Sequence, residues 1–132
     1  MTEPKGGARF PKTRRLLKHS DFDRVYRQGR RHASANLGFA YLRREDAAGA
    51  RVGFTVSRAF GGAVERNRLK RRLREAVRLT LAGFTGAVDV VINPRKSAVD
   101  VKLPLLREEI ARAFAVIGDD KRGPRPTEHG AR

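Results

Sequence analysis

The longest stretch of the 132-residue chain without glycine or proline runs from residue 63 to about residue 81. Two glycines precede this stretch and Gly83 follows it. The stretch therefore predicts a long helix that is bounded by glycines at both ends. Apolar residues recur at helical spacing and form one face for a core: Leu69, Leu73, Ala76 and Val77. The fold must therefore bury one side of a helix whose remaining surface is mostly charged.

Basic side chains line this helix beside its apolar face. Arg66, Lys70, Arg74 and Arg78 follow one another at four-residue spacing, and the segment holds seven basic residues against two acids. Like charges at this spacing repel by a few tenths of a kcal/mol each. A solvated helix with local ion pairs is the usual interpretation of a charge run, but two acids cannot pair seven bases. We therefore expect Arg66, Lys70, Arg74 and Arg78 to lack an internal partner, and the pattern favours an external polyanion.

The composition points to the same class of partner. The chain has 30 Lys and Arg against 14 Asp and Glu, a net charge of +16, and 23 of the bases are Arg. The planar guanidinium matches phosphate oxygens and stacks on bases, which favours nucleic acid. Without cysteine, disulfides, thiolate metal sites and thiol nucleophiles are excluded. No apolar run or signal peptide is seen, so we expect a cytoplasmic protein that does not bind membranes.

Residue patterns divide the chain into a basic, mobile arm (1–15), one α+β domain (16–118) and a disordered tail (119–132). Within the domain we expect a helix at 20–29, strands at 37–43 and 51–57 joined by a hairpin loop at 45–50, and a strand at 89–93. A last helix begins near Pro104 and ends at Gly118, and its apolar residues form one stripe: Leu106, Ile110, Ala113, Phe114 and Ile117. This order predicts a mixed sandwich with helices covering a small sheet.

No catalytic or metal-binding cluster is apparent. Asp21 and Asp23 fit the first turn of a helix, and the three histidines, His19, His32 and His129, are isolated in the sequence. A nuclease needs clustered carboxylates or paired general acids and bases. Gly61-Gly62 lacks the Gly-Lys-Ser/Thr of a nucleotide-binding loop, so no ATP site is predicted. We therefore predict no catalytic residue and no metal ligand in the protein.

Several motifs resemble the bacterial ribonuclease P protein component, the small basic subunit that partners a catalytic RNA in maturing the 5′ end of tRNA. Residues 51–58 read Arg-Val-Gly-Phe-Thr-Val-Ser-Arg, and an Arg-Asn-Arg helix follows from Arg66. The similarity extends to Phe10-Pro11, Leu16-Leu17, Ser20-Asp-Phe-Asp-Arg-Val-Tyr26 and residues 89–96, and covers roughly residues 9–117. The resemblance implies an αβββαβα sandwich with a left-handed strand–helix–strand crossover, where the general rule predicts a right-handed one.

The resemblance also implies two RNA-binding surfaces. One faces the catalytic RNA and comprises Arg66, Asn67, Arg68, Lys70, Arg71 and Arg74. The other is a cleft between the first helix and the sheet that holds the single-stranded 5′ leader of precursor tRNA, with candidates Phe22, Tyr26, Phe39, Tyr41, Thr55 and Ser57. Arg58, Arg95 and Lys96 extend the basic surface.

Two aromatic residues of the first helix indicate a binding surface independently of the resemblance. Phe22 and Tyr26 lie one helical turn apart, and aromatic faces near Arg form a platform for unpaired bases. Core packing is the competing interpretation for Phe22. Tyr26 is expected to keep its hydroxyl in a polar environment.

The implied activity is that of the ribonuclease P holoenzyme, an endonuclease in which the RNA subunit holds Mg²⁺ and cleaves the phosphodiester. The protein alone is expected to be inactive, to bind no cofactor and to need no protein partner besides the catalytic RNA and precursor tRNA. The alternative is a non-enzymatic protein that binds structured RNA, such as a ribosomal protein, without a cleft for a single strand.

Overall fold

The computed structural model describes residues 15, 18–45 and 49–124. Within them the order is one helix, three strands, a helix, a strand and a helix, which confirms the α+β arrangement. The elements are α1 (His19–Gln28), β1 (Arg30–Ala33), β2 (Leu37–Arg43), β3 (Arg51–Phe54), α2 (Ala63–Ala82), β4 (Val88–Pro94) and α3 (Leu103–Asp119). Short 3₁₀ segments, Arg58–Phe60 and Lys96–Asp100, follow β3 and β4.

The four strands form one mixed sheet in the order β1-β2-β4-β3. β4 pairs antiparallel with β2 and parallel with β3, and α2 connects the two parallel strands. The predicted hairpin between β2 and β3 is therefore wrong, because β4 lies between them. β4 has apolar residues on both faces, as a central strand requires, whereas local alternation does not specify which strands pair. The left-handed sense of the crossover stays a prediction of the resemblance.

The shortest connection in the fold is the single residue between α1 and β1. A Cβ atom at Gly29 would lie 2.4 Å from the carbonyl oxygen of Val25 and 2.5 Å from that of Tyr41, so no other residue fits there without a backbone shift. β1 itself reads Arg-Arg-His-Ala and has no β-branched residue, which is why the residue pattern alone missed it. Its place at the edge of the sheet follows from this tight turn and its pairing with β2.

Two apolar clusters lie on opposite faces of the sheet. The larger one packs α2 and α3 against the sheet and contains both predicted helical stripes: Leu69, Leu73, Ala76 and Val77 from α2, and Leu106, Ile110, Ala113, Phe114 and Ile117 from α3. The smaller one packs Val25 of α1 against Ala40, Leu42 and Val91, with Phe22 and Tyr26 at its margin. α1 covers this second face only in part, since Gly38 and Asn93 stay half-exposed on it, and we call the uncovered surface beside the helix the cleft.

The first residues of the predicted tail lie against the sheet. The Tyr41 hydroxyl donates to the Asp120 carboxylate at 2.7 Å, and the Arg30 side chain donates to the carbonyl of Gly123 at 3.1 Å. A hydrogen bond from Arg122 holds the pKa of Asp120 well below its usual range. The predictions for residues 1–14 and 125–132 lie outside the described residues.

A buried carboxylate joins α1 to three strands. Asp89 of β4 is fully buried and accepts hydrogen bonds from Arg44 at 2.8 Å, Arg51 at 2.8 Å and Arg24 at 3.4 Å. Arg24 also contacts Asp21 of its own helix at 3.0 Å. A buried charge is tolerated only when such partners surround it. We call this group the Asp89 cluster.

Replacing Asp89 by Asn should lower the free energy of unfolding by about 3–5 kcal/mol, because three guanidinium groups lose their shared buried anion. Urea denaturation followed by circular dichroism measures the change. Asp100→Asn, at an exposed carboxylate, is the matched control and should change stability by less than about 0.5 kcal/mol. Equal stability of the two variants would show that the Asp89 cluster does not hold the layers together.

Candidate nucleic-acid interface

α2 carries a group of basic side chains without carboxylate partners. Asn67, Arg68 and Arg71 are exposed, and Arg66, Lys70 and Arg74 are half-buried beside the apolar face. Among the residues that the structure describes, none of the five bases in this set forms an ion pair. We call the set Arg66, Asn67, Arg68, Lys70, Arg71 and Arg74 the cationic stripe.

Arg74 is partly desolvated and has other cations near it. Burial, together with the neighbouring charges of Arg15 and Arg71, lowers the pKa of its guanidinium. Arg15 reaches this point because its backbone forms an isolated parallel bridge with Val52 of β3. No local sequence pattern connects Arg15 to α2, so this additional cation could not be predicted.

The acids near α2 are engaged elsewhere. Glu65 accepts from the backbone N–H of Gly62 at 3.1 Å and so caps the helix. Glu75 accepts from Arg78 at 2.8 Å and from Arg107 of α3 at 3.4 Å, and the hydrogen bond from Arg78 lowers its pKa. The expectation that Arg78 lacks an internal partner is therefore wrong, because Glu75 lies three residues before it on the same helix.

Arg72 has a structural role that separates it from the cationic stripe. Its guanidinium donates to the carbonyl oxygens of Ala98 at 3.3 Å and Val99 at 3.1 Å, and also to that of Val101. These contacts fasten the 3₁₀ segment after β4 to α2. On α2, the cations that remain available to an external partner are thus those of the cationic stripe.

The cleft beside α1 ends in a polar network. The Tyr26 hydroxyl donates to the side-chain oxygen of Asn93 at 2.6 Å and lies 3.3 Å from the Thr55 hydroxyl. Thr55 also donates to the Asn93 oxygen. Phe22 is half-buried one turn earlier on α1. The structure thus brings together three of the predicted cleft residues, Phe22, Tyr26 and Thr55.

The assignment of Phe39 and Tyr41 to the cleft is wrong. Both are buried in the larger cluster, on the face that α2 and α3 cover, with 2% and 4% of their surface exposed. Because side chains alternate along a strand, the residues of β2 that face α1 are Gly38, Ala40 and Leu42. The family resemblance suggested these two residues, but the opposite face of β2 lines the cleft.

Ser57 lies beyond the end of β3. Its side chain is exposed and accepts from the backbone N–H of Ala59 at 3.3 Å, capping the 3₁₀ segment. Alternation from Thr55 does not extend to it, since the strand ends at Phe54. Its part in leader binding stays a prediction.

Two residues of the cleft were missed by the sequence analysis. The Arg31 guanidinium lies 5.4 Å from the centre of the Tyr26 ring, and it donates to the Tyr26 carbonyl at 3.0 Å. Asn93 forms the end of the cleft and is the polar residue two positions after Val91. Strict alternation along β4 would have indicated Asn93, whereas nothing local indicates Arg31.

The additional basic residues meet at one edge of the sheet. Because β3 and β4 are parallel, their carboxyl ends lie together, and Arg58 follows one while Arg95 and Lys96 follow the other. All three are exposed. α2 begins shortly after the 3₁₀ segment that contains Arg58.

In the described residues no three His, Asp or Glu side chains are grouped as metal ligands would be. His19 contacts Asp23 at 3.7 Å, and both are exposed. Within the same part of the chain, no helix has the length and apolar character needed to span a membrane.

Comparison with known proteins assigns the family. The family model described as ribonuclease P matches residues 10–118. A ribonuclease P protein component from Desulforapulum autotrophicum is 38% identical over 112 residues, covering 85% of this chain and 95% of its own length.

Two solved structures have the same fold. The RNase P protein of Staphylococcus aureus has a TM-score of 0.69 and 25% identity, covering 79% of this chain and 94% of that one. The RNase P protein of Thermotoga maritima has a TM-score of 0.68 and 27% identity, covering 76% and 94%. The chain belongs to the family of bacterial ribonuclease P protein components.

Proposed function

We propose that the chain is the protein subunit of a ribonuclease P holoenzyme, in which the cationic stripe binds the catalytic RNA and the cleft beside α1 binds the 5′ leader of precursor tRNA. The observation that carries the proposal is the cationic stripe itself. Five bases on one helix have no carboxylate partner in the described structure, while both acids of that helix are engaged elsewhere. RNA phosphates would supply the missing anions.

The cleft suits a single strand. Phe22 and Tyr26 offer aromatic surface on one side, and the exposed Arg31 adds a cation next to the Tyr26 ring. Stacking on aromatic rings tolerates any base, as a leader of variable sequence demands. Arg58, Arg95 and Lys96 would carry the leader backbone toward the catalytic RNA.

We assign Mg²⁺ binding and phosphodiester hydrolysis to the RNA subunit, as the family resemblance implies. The protein's contribution would be electrostatic and positional, because its cations reduce the repulsion between RNA and tRNA phosphates and its cleft fixes the leader. The proposed complex forms in the bacterial cytoplasm and needs no further protein.

Reconstitution tests the function directly. Mixed with a bacterial ribonuclease P RNA at low Mg²⁺, the protein should restore cleavage of precursor tRNA at the 5′ end of the mature sequence. Gel analysis of labelled precursor measures it, with the protein alone as control. Failure to stimulate the RNA would contradict the proposed function, and cleavage by the protein alone would contradict the assignment of chemistry to RNA.

Neutralising the cationic stripe should flatten the salt dependence of RNA binding. In the variant Lys70→Gln, Arg71→Gln, Arg74→Gln, the slope of log K against log salt should fall by about 0.7–0.9 for each lost phosphate contact. The control variant changes Lys102, Arg112 and Lys121, which lie before, on and after α3, to Gln and removes the same charge. Equal slopes for the two variants would exclude α2 as the RNA-binding surface.

Removing the aromatic surface of the cleft should affect precursor tRNA only. Phe22→Leu with Tyr26→Leu should weaken binding of precursor tRNA to the holoenzyme by about 1–3 kcal/mol per stacked base and leave mature tRNA unchanged. Phe84→Leu, at the half-buried aromatic ring that packs on Phe114, is the control. Equal losses for precursor and mature tRNA would instead favour a structured-RNA-binding protein without a leader cleft.

A further inference from the structure

The end of the cleft holds an amide whose side-chain oxygen faces two hydroxyl groups. The side-chain oxygen of Asn93 accepts from the Tyr26 hydroxyl at 2.6 Å and from the Thr55 hydroxyl. A carbonyl oxygen has two lone pairs, so both are occupied. In the described structure the amide nitrogen of Asn93 donates to no protein acceptor. The half-buried Asn93 thus offers its cleft two donors and no acceptor.

The strand next to Asn93 leaves room for a ligand. Gly38 of β2 pairs directly with Asn93 and is half-exposed on the same face of the sheet. A Cβ atom at position 38 would lie 3.6 Å from the backbone carbonyl oxygen of Asn93 and 4.0 Å from the Cβ atom of Asn93, which are ordinary contact distances. The fold therefore does not require glycine at this position. A glycine inside a strand often marks the close approach of a ligand.

We infer that Asn93 is a specificity-determining residue that donates its amide hydrogens to a leader nucleobase lying over Gly38. This inference rests on the proposed leader-binding function of the cleft. An unrestrained Asn pairs with adenine by donating to N7 and accepting from the N6 amine. That pairing is blocked here, because the amide oxygen is already occupied by two hydroxyls.

The nucleobases that can bind the Asn93 amide are those with two adjacent hydrogen-bond acceptors. Guanine presents O6 and N7 side by side, whereas adenine presents a donor beside N7. At the leader position over Gly38, guanine should therefore bind better than adenine. The Tyr26 and Thr55 hydroxyls act through Asn93 as positioning groups, in addition to any stacking by the Tyr26 ring.

The test uses the holoenzyme and precursor tRNAs whose leaders carry guanosine or adenosine at one position at a time. With the wild-type protein, one leader position should favour guanosine by about tenfold in affinity, the range of one bidentate contact. Asn93→Asp keeps an oxygen for both hydroxyls and replaces the donor by an acceptor. It should abolish or invert that preference while mature tRNA binds as before.

Gly38→Ser provides a second measurement that leaves Asn93 intact. By occupying the space over the sheet, it should weaken precursor binding and the guanosine preference together. Ala111→Ser, at an exposed position on α3, is the control.

Two outcomes overturn the inference. In the first, the ratio of guanosine to adenosine affinity is the same for wild type and Asn93→Asp at every leader position. In the second, the wild type prefers adenosine, and that preference depends on Asn93. Both leave the proposed function standing if precursor tRNA still binds more tightly than mature tRNA. Loss of that difference in the wild type would instead remove the leader cleft itself.

Discussion

The two-residue period of β4 decides which side chains meet on each face of the sheet. Val88, Val90 and Ile92 enter the larger apolar cluster, so the residues between them must face α1. Those residues are Asp89, Val91 and Asn93, and each has a separate task. Asp89 binds Arg24 of α1, Val91 packs beneath the helix, and Asn93 forms the open end of the cleft. A shift of one residue would bury the polar groups and expose the core.

The charge distribution on α2 follows from how its few acids are used. Glu65 caps the first turn and Glu75 binds arginines from α2 and α3. Burial, and then the neighbouring charges of Arg15 and Arg71, lower the pKa of Arg74, one of the remaining cations. Such an arrangement costs stability in the free protein. Bound RNA phosphates would remove that cost. Relief of the repulsion between the cations would therefore contribute to the free energy of RNA binding.

Much of this architecture was predictable because it depends on local patterns. The apolar stripes of α2 and α3 and the position of α1 follow from helical spacing, and the motif around Arg66 led to the family. Strand pairing was not predictable from the residues, since β4 enters between β2 and β3 from far along the chain. The register of β2 depends on the same long-range pairing, so no local pattern specified it. Phe39 and Tyr41 are aromatic, like cleft residues, but their neighbours across the sheet determine that they are core.

The central claim is that the two RNA-binding surfaces are separate and bind different RNAs. The chain has no cysteine, so single cysteines carrying a photo-crosslinker can be placed at the exposed positions Ala33, on the cleft face, Arg71, on the cationic stripe, and Ala111, on α3. In the holoenzyme with precursor tRNA, the probe at Ala33→Cys should label leader nucleotides and that at Arg71→Cys the catalytic RNA, while Ala111→Cys labels neither. Labelling of the catalytic RNA from Ala33 without any labelling of the leader would contradict the account.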